Sequence, residues 1–79
     1  MRIDAVPGML VVVVRKSKRA FALYKKFKSN PLVRCSCSAV RKGIYVVDDV
    51  FEDVAILQLK NGARVLVAPL DDIEPAVEI

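Results

Sequence analysis

Two β-rich apolar runs, residues 54–59 (Val-Ala-Ile-Leu-Gln-Leu) and 63–68 (Ala-Arg-Val-Leu-Val-Ala), lie on either side of Asn61-Gly62. No other feature restricts the fold of this chain as strongly. A type I′ turn needs positive φ at both central residues, and Asn-Gly adopts it at the least steric cost. The chain is therefore expected to form an antiparallel hairpin here. Three further runs read as strands. Residues 9–14 follow a Pro7-Gly8 turn as a continuous apolar stretch, the pattern of a strand buried on both faces. Residues 33–40 alternate, with Val33, Cys35, Cys37 and Ala39 on one face and Arg34, Ser36 and Ser38 on the other. Residues 44–47 form another strand that could run on to Phe51. A turn or a single 3₁₀ turn at 70–75 and a last short strand at 77–79 complete the set.

Residues 18–28 admit two readings. Ser17 can cap a helix whose Ala20, Leu23, Tyr24 and Phe27 share a face, with Asn30-Pro31 as the stop. A strand with Phe21, Leu23 and Phe27 on one side is the alternative. The helix is the preferred expectation.

Seventy-nine residues make one domain, 1–79, and an apolar fraction of 54% argues against disorder. So much apolar surface in a short chain also points to a possible homodimer face. The longest apolar run, residues 9–14, is far short of the roughly twenty residues a spanning helix needs. A secretory signal pattern is lacking too, and a cytoplasmic location with no membrane contact is expected. The sequence has no His, which removes the commonest general base and metal ligand, so an enzyme is not expected.

Charge is strongly segregated. Residues 15–42 hold Arg15, Lys16, Lys18, Arg19, Lys25, Lys26, Lys28, Arg34, Arg41 and Lys42 with no acid. Most of the acids follow, in Asp48-Asp49, Glu52-Asp53 and Asp71-Asp72. The formal net charge of +4 conceals this separation. Ten uncompensated cations are an electrostatic footprint for phosphate. Tyr24 is interleaved with them, and bases stack on aromatic rings without regard to sequence. Phe21 and Phe27 are expected in the core. The acidic pairs read as turn residues, where Asp bonds its own backbone. Cys35 and Cys37 cannot complete a tetrahedral zinc site within one chain without further Cys or His. As neighbours on one face of a strand they would also pair poorly with each other, so two small buried side chains are expected. Ser36 and Ser38 lack a base partner, and no catalytic residue, metal or cofactor is expected.

The pieces Pro7-Gly8 before the first strand, Lys42-Gly43-Ile44-Tyr45-Val46-Val47, and Val65-Leu66-Val67-Ala68-Pro69-Leu70-Asp71-Asp72-Ile73-Glu74-Pro75 carry a resemblance. Their order resembles the SH3-like small β-barrel superfamily, including KOW-type barrels of transcription and translation proteins and small barrels of photosynthetic accessory subunits. The resemblance covers residues 43–79 and the first strand. It implies an all-β barrel of about five strands, with residues 15–42 as a basic insertion after the first strand and one short inserted helix at 18–28. The glycine-rich start of a KOW motif is missing, so that family's RNA contacts do not carry over.

The expected function is a small non-enzymatic nucleic-acid-binding module, for RNA or DNA. Its phosphate contacts would come from Arg15, Lys16, Lys18, Arg19, Tyr24, Lys25, Lys26, Lys28, Arg34, Arg41 and Lys42. The alternative is an interaction adaptor that docks the same basic segment on an acidic partner protein.

Overall fold

A computed structural model describes residues 4–58 and 64–76. In chain order it contains β1 (Leu10–Val13), α1 (Lys18–Phe27), β2 (Val33–Cys35), a 3₁₀ turn (Ser36–Ser38), β3 (Tyr45–Phe51), β4 (Val54–Gln58), β5 (Val65–Pro69), a second 3₁₀ turn (Leu70–Asp72) and β6 (Ile73–Pro75). The strands make one open sheet in the order β2-β5-β4-β3-β1-β6. Among the described residues the structure is thus mostly β with a single helix.

The meander β3-β4-β5 is antiparallel throughout. Gln58 lies opposite Val65 and Val54 opposite Pro69, a register compatible with a two-residue loop at 61–62. The Asn61-Gly62 turn itself lies outside the described residues. The β3–β4 connection closes with Phe51 opposite Val54. Glu52 takes φ 54° there, a left-handed conformation in which a side chain costs free energy.

Several expectations change in detail. The first strand is buried on one side only: Val11 and Val13 are fully buried, whereas Leu10 is exposed. The reason is that α1 packs against β5 and β2 rather than over β1. Asp48-Asp49 is not at a turn. It occupies a bulge inside β3, where the register shifts between Val47 and Asp49, and Asp49 Oδ1 accepts the Val50 N–H at 2.8 Å. A bulge lets both neighbouring acids avoid the buried face. The closing strand is 73–75, which the sequence assigned to a turn. Ile73 and Glu74 pair with Val13 and Val12, and Pro75 is tolerated because β6 is an edge strand. The strand expected at 77–79 lies outside the described residues.

Residues 33–40 give the largest departure. The alternation holds for Val33, Arg34 and Cys35, which pair in parallel with Val65, Leu66 and Val67 at the sheet edge. The chain then turns. Ser38 Oγ donates to the Cys35 carbonyl at 2.8 Å and the Ala39 N–H bonds the Ser36 carbonyl at 2.9 Å, and these local bonds replace a strand ladder. Ser36 is consequently buried, with no hydrogen-bond partner for its hydroxyl, instead of facing solvent.

The sheet carries two apolar cores. The larger joins Val11, Val13, Val47, Leu57, Leu66 and Ile73 on one face. The smaller, formed by Leu23, Val33 and Val67, seats the helix on the other face. This second core determines where the basic segment sits.

Candidate polyanion-binding groove

Residues 18–27 are helical, and both ends have a local cause. Ser17 is the N-cap, its hydroxyl oxygen accepting the Ala20 N–H at 3.2 Å. The same hydroxyl donates to Asp72 Oδ2 at 2.6 Å. Asp72 is 1% exposed, so this carboxylate ties the helix start to the turn that precedes β6. At the other end the Asn30 side chain accepts the Leu32 N–H at 3.0 Å, and Pro31 cannot continue the helix. Lys25 and Lys26 in the last turn interact favourably with the helix dipole.

Ala20 and Leu23 are the buried helix positions. Most of the remaining positions lie on the two flanks of that contact, and each flank borders a groove. One groove, about 370 Å³, is lined by Phe21, Tyr24, Lys25, Lys28, Arg34, Cys35, Cys37 and Ser38. Spacings of three and four put Phe21, Tyr24, Lys25 and Lys28 on one side of a helix. β2 and its following turn form the opposite wall. Lys16 Nζ stands 5.8 Å from the Phe21 ring centroid, within cation–π range. Among the described residues no acidic one lines this groove.

The second groove, about 450 Å³, lies between the helix and the β3–β4 turn. It takes Arg19, Leu23, Lys26 and Phe27 from one wall and Phe51, Glu52, Asp53, Val54 and Ile56 from the other. Arg19 forms an ion pair with Asp53 across it. Among the described residues this is the one salt bridge, so the acidic half of the chain neutralises the basic segment at one point.

The eleven expected contact residues therefore do not form one surface. Tyr24, Lys25, Lys28 and Arg34 come together in the first groove, with Lys16 against its Phe21. Arg19 and Lys26 belong to the second. Lys18 is exposed on the helix, and Arg15, Arg41 and Lys42 are exposed in the connections that precede α1 and β3. Arg41 has φ 56° and its N–H bonds the Val13 carbonyl at 2.9 Å, a backbone role as well as a surface one.

Two aromatic expectations are corrected. Phe21 and Phe27 are 44% and 43% exposed, not core residues. The helix meets the sheet through Ala20 and Leu23; Phe21 lies one position beyond Ala20 and turns to the first groove, whereas Phe27, on the same face as Ala20 and Leu23 but at the last helical position, borders the second groove. The sequence signal for Phe21 was its i, i+3, i+4 and i+7 relation to Tyr24, Lys25 and Lys28.

Cys35 and Cys37 also depart from expectation. They are paired as a disulfide, with Cα atoms 5.2 Å apart. Pairing is feasible because Cys37 has left the strand for the 3₁₀ turn. Cys35 is buried, whereas Cys37 is half-buried on the groove. No cluster of three potential metal ligands exists among the described residues. No helix among them is long and apolar enough to cross a membrane.

No protein-family model matches the chain, and no curated protein or solved structure matches it either.

Proposed function

We propose that this protein is a small non-enzymatic nucleic-acid-binding module that holds a single strand in the groove between α1 and β2. The observation that carries this reading is the convergence of Lys25, Lys28 and Arg34 with Phe21 and Tyr24 on one groove that, among the described residues, has no acidic wall. Cations supply sequence-independent attraction to phosphates, and rings supply stacking platforms for bases. Stacking contributes about 1–3 kcal/mol per base. Lys18, Arg15, Arg41 and Lys42 extend the positive field around the groove and accelerate encounter.

The SH3-like small barrel is our proposal for the architecture. Its support is topological: with the edge strand β2 set aside, the order β6-β1-β3-β4-β5 is a meander whose last strand returns through a 3₁₀ turn to pair with the first. In that frame α1 and β2 are an insertion in the first long loop, and binding by such loops on rigid scaffolds is common.

Fluorescence anisotropy with labelled single-stranded RNA, single-stranded DNA and duplex DNA at three salt concentrations tests the reading. Four phosphate contacts, from Lys16, Lys25, Lys28 and Arg34, give a log–log salt slope of about −3 on a single strand. Tighter binding to single strands than to duplex is expected. Absence of binding at low salt overturns the proposal and turns attention to an acidic protein partner, which would survive nuclease treatment in a pull-down.

A further inference from the structure

The phosphate-binding reading leaves the sulfur pair unused. Cys35 and Cys37 both line the groove, at its β2 wall, and they share it with Lys25, Lys28 and Arg34. The two sulfurs are not equivalent. Cys37 is half-buried, whereas Cys35 is buried and its Sγ lies 3.9 Å from the Ala20 carbonyl of the helix. The Cys37 N–H points at Cys35 Sγ from 3.4 Å. A backbone N–H directed at a sulfur stabilises negative charge developing there, and nearby cations add to that. A carbonyl at the same sulfur can accept an S–H once the charge is quenched. The pair thus has an accessible sulfur to be attacked and a sheltered one equipped to leave as thiolate.

We propose that Cys35–Cys37 is a reversible thiol–disulfide exchange site for small thiols that carry carboxylates, such as an anionic peptide thiol. The substrate thiolate attacks Cys37 Sγ. The Cys35–Cys37 bond breaks, its electron pair goes to Cys35 Sγ, and a mixed disulfide forms between Cys37 and the substrate. A second substrate thiolate attacks the substrate sulfur of that mixed disulfide and releases Cys37 as thiolate. In balance, the protein disulfide plus two thiols gives two protein thiols plus one small-molecule disulfide, a two-electron transfer. Lys25, Lys28 and Arg34 concentrate the anionic thiol, and the groove volume of about 370 Å³ is in the range that encloses a small molecule. This proposal is independent of nucleic-acid binding.

The test equilibrates the full chain in glutathione buffers of varied reduced-to-oxidised ratio, followed by alkylation and intact-mass measurement. The expected result is a change from no added alkyl groups to two over a narrow range of ratios. Reduction by glutathione, whose attacking form carries carboxylates besides the thiolate, should slow roughly tenfold in the variant Lys25→Glu/Lys28→Glu, while reduction by β-mercaptoethanol, whose thiolate carries a single charge, should slow distinctly less. Both lysines are exposed, so this variant is expected to keep the fold. Cys35→Ser should accumulate a glutathione adduct on Cys37. Two alkyl groups at every ratio, or equal slowing for both thiols, overturns the proposal.

Discussion

The two grooves beside α1 have similar size and different electrostatic character, one compensated and one cationic. On one flank Arg19 and Lys26 face Glu52 and Asp53, and Arg19 is already paired. On the other flank Lys25, Lys28 and Arg34 meet no acid among the described residues. Both sets of cations come from the same acid-free stretch of sequence. The comparison teaches that a run of like charge stays uncompensated only where the fold keeps the opposite charge away. One turn, Glu52-Asp53, is enough to give the two flanks different charge.

The comparison can be broken most completely by releasing the helix that separates the grooves. Asp72→Ala removes the acceptor of the Ser17 hydroxyl and should cost about 2–3 kcal/mol, since hydrogen bonds to charged groups contribute most. Urea denaturation checks this; unchanged stability would mean that the Ser17–Asp72 bond does not hold the helix.

Charge reversal sharpens the contrast between flanks. Lys25→Glu/Lys28→Glu should weaken single-stranded RNA binding by roughly ten- to a hundredfold and reduce the salt slope by about 1.4. Lys26→Glu, on the neutralised flank, should change either quantity far less in the same anisotropy titration. Equal effects from the two variants would erase the distinction between the grooves.

Smaller effects probe the turn that supplies the acids. Glu52→Gly relieves the positive φ and should stabilise the domain by about 0.5–1 kcal/mol, visible as a raised Tm. Loss of stability would show that the Glu52 side chain contributes contacts of its own. Arg19→Ala should cost less than about 1 kcal/mol, because Arg19 is 51% exposed and its partner Asp53 23%. A larger loss on denaturation would mark that pair as a principal anchor of the helix.

Much of this arrangement was legible in the sequence where the cause is local. Ser17 and Asn30-Pro31 bound the helix because capping and the missing proline N–H act within a few residues. The strands of the β4–β5 hairpin were legible from two β-rich apolar runs on either side of Asn61-Gly62. Misreadings arose where distant partners decide. The parallel pairing of β2 with β5 has no signal in residues 33–35 themselves. Past Cys35, the period-2 pattern continued on paper while Ser38 was already bonding the Cys35 carbonyl and turning the chain. Asp48-Asp49 looked like a turn because a bulge and a turn use similar residues. The division of the cations between two grooves depended on which face of α1 meets the sheet, and Leu23 against Val33 and Val67 settled that.

The bond between Ser17 and Asp72 spans 55 residues. A nascent or refolding chain cannot make it until the turn before β6 exists, almost at the end of the described sequence. Contacts of such separation are slow to form because loop closure must come first. The helix can flicker early, yet its seat is completed late, after the meander has given Leu23 a surface and β6 has come back to β1. The cationic groove is then among the last parts of the molecule to assemble, so anion binding during refolding should follow the burial of the sheet rather than precede it.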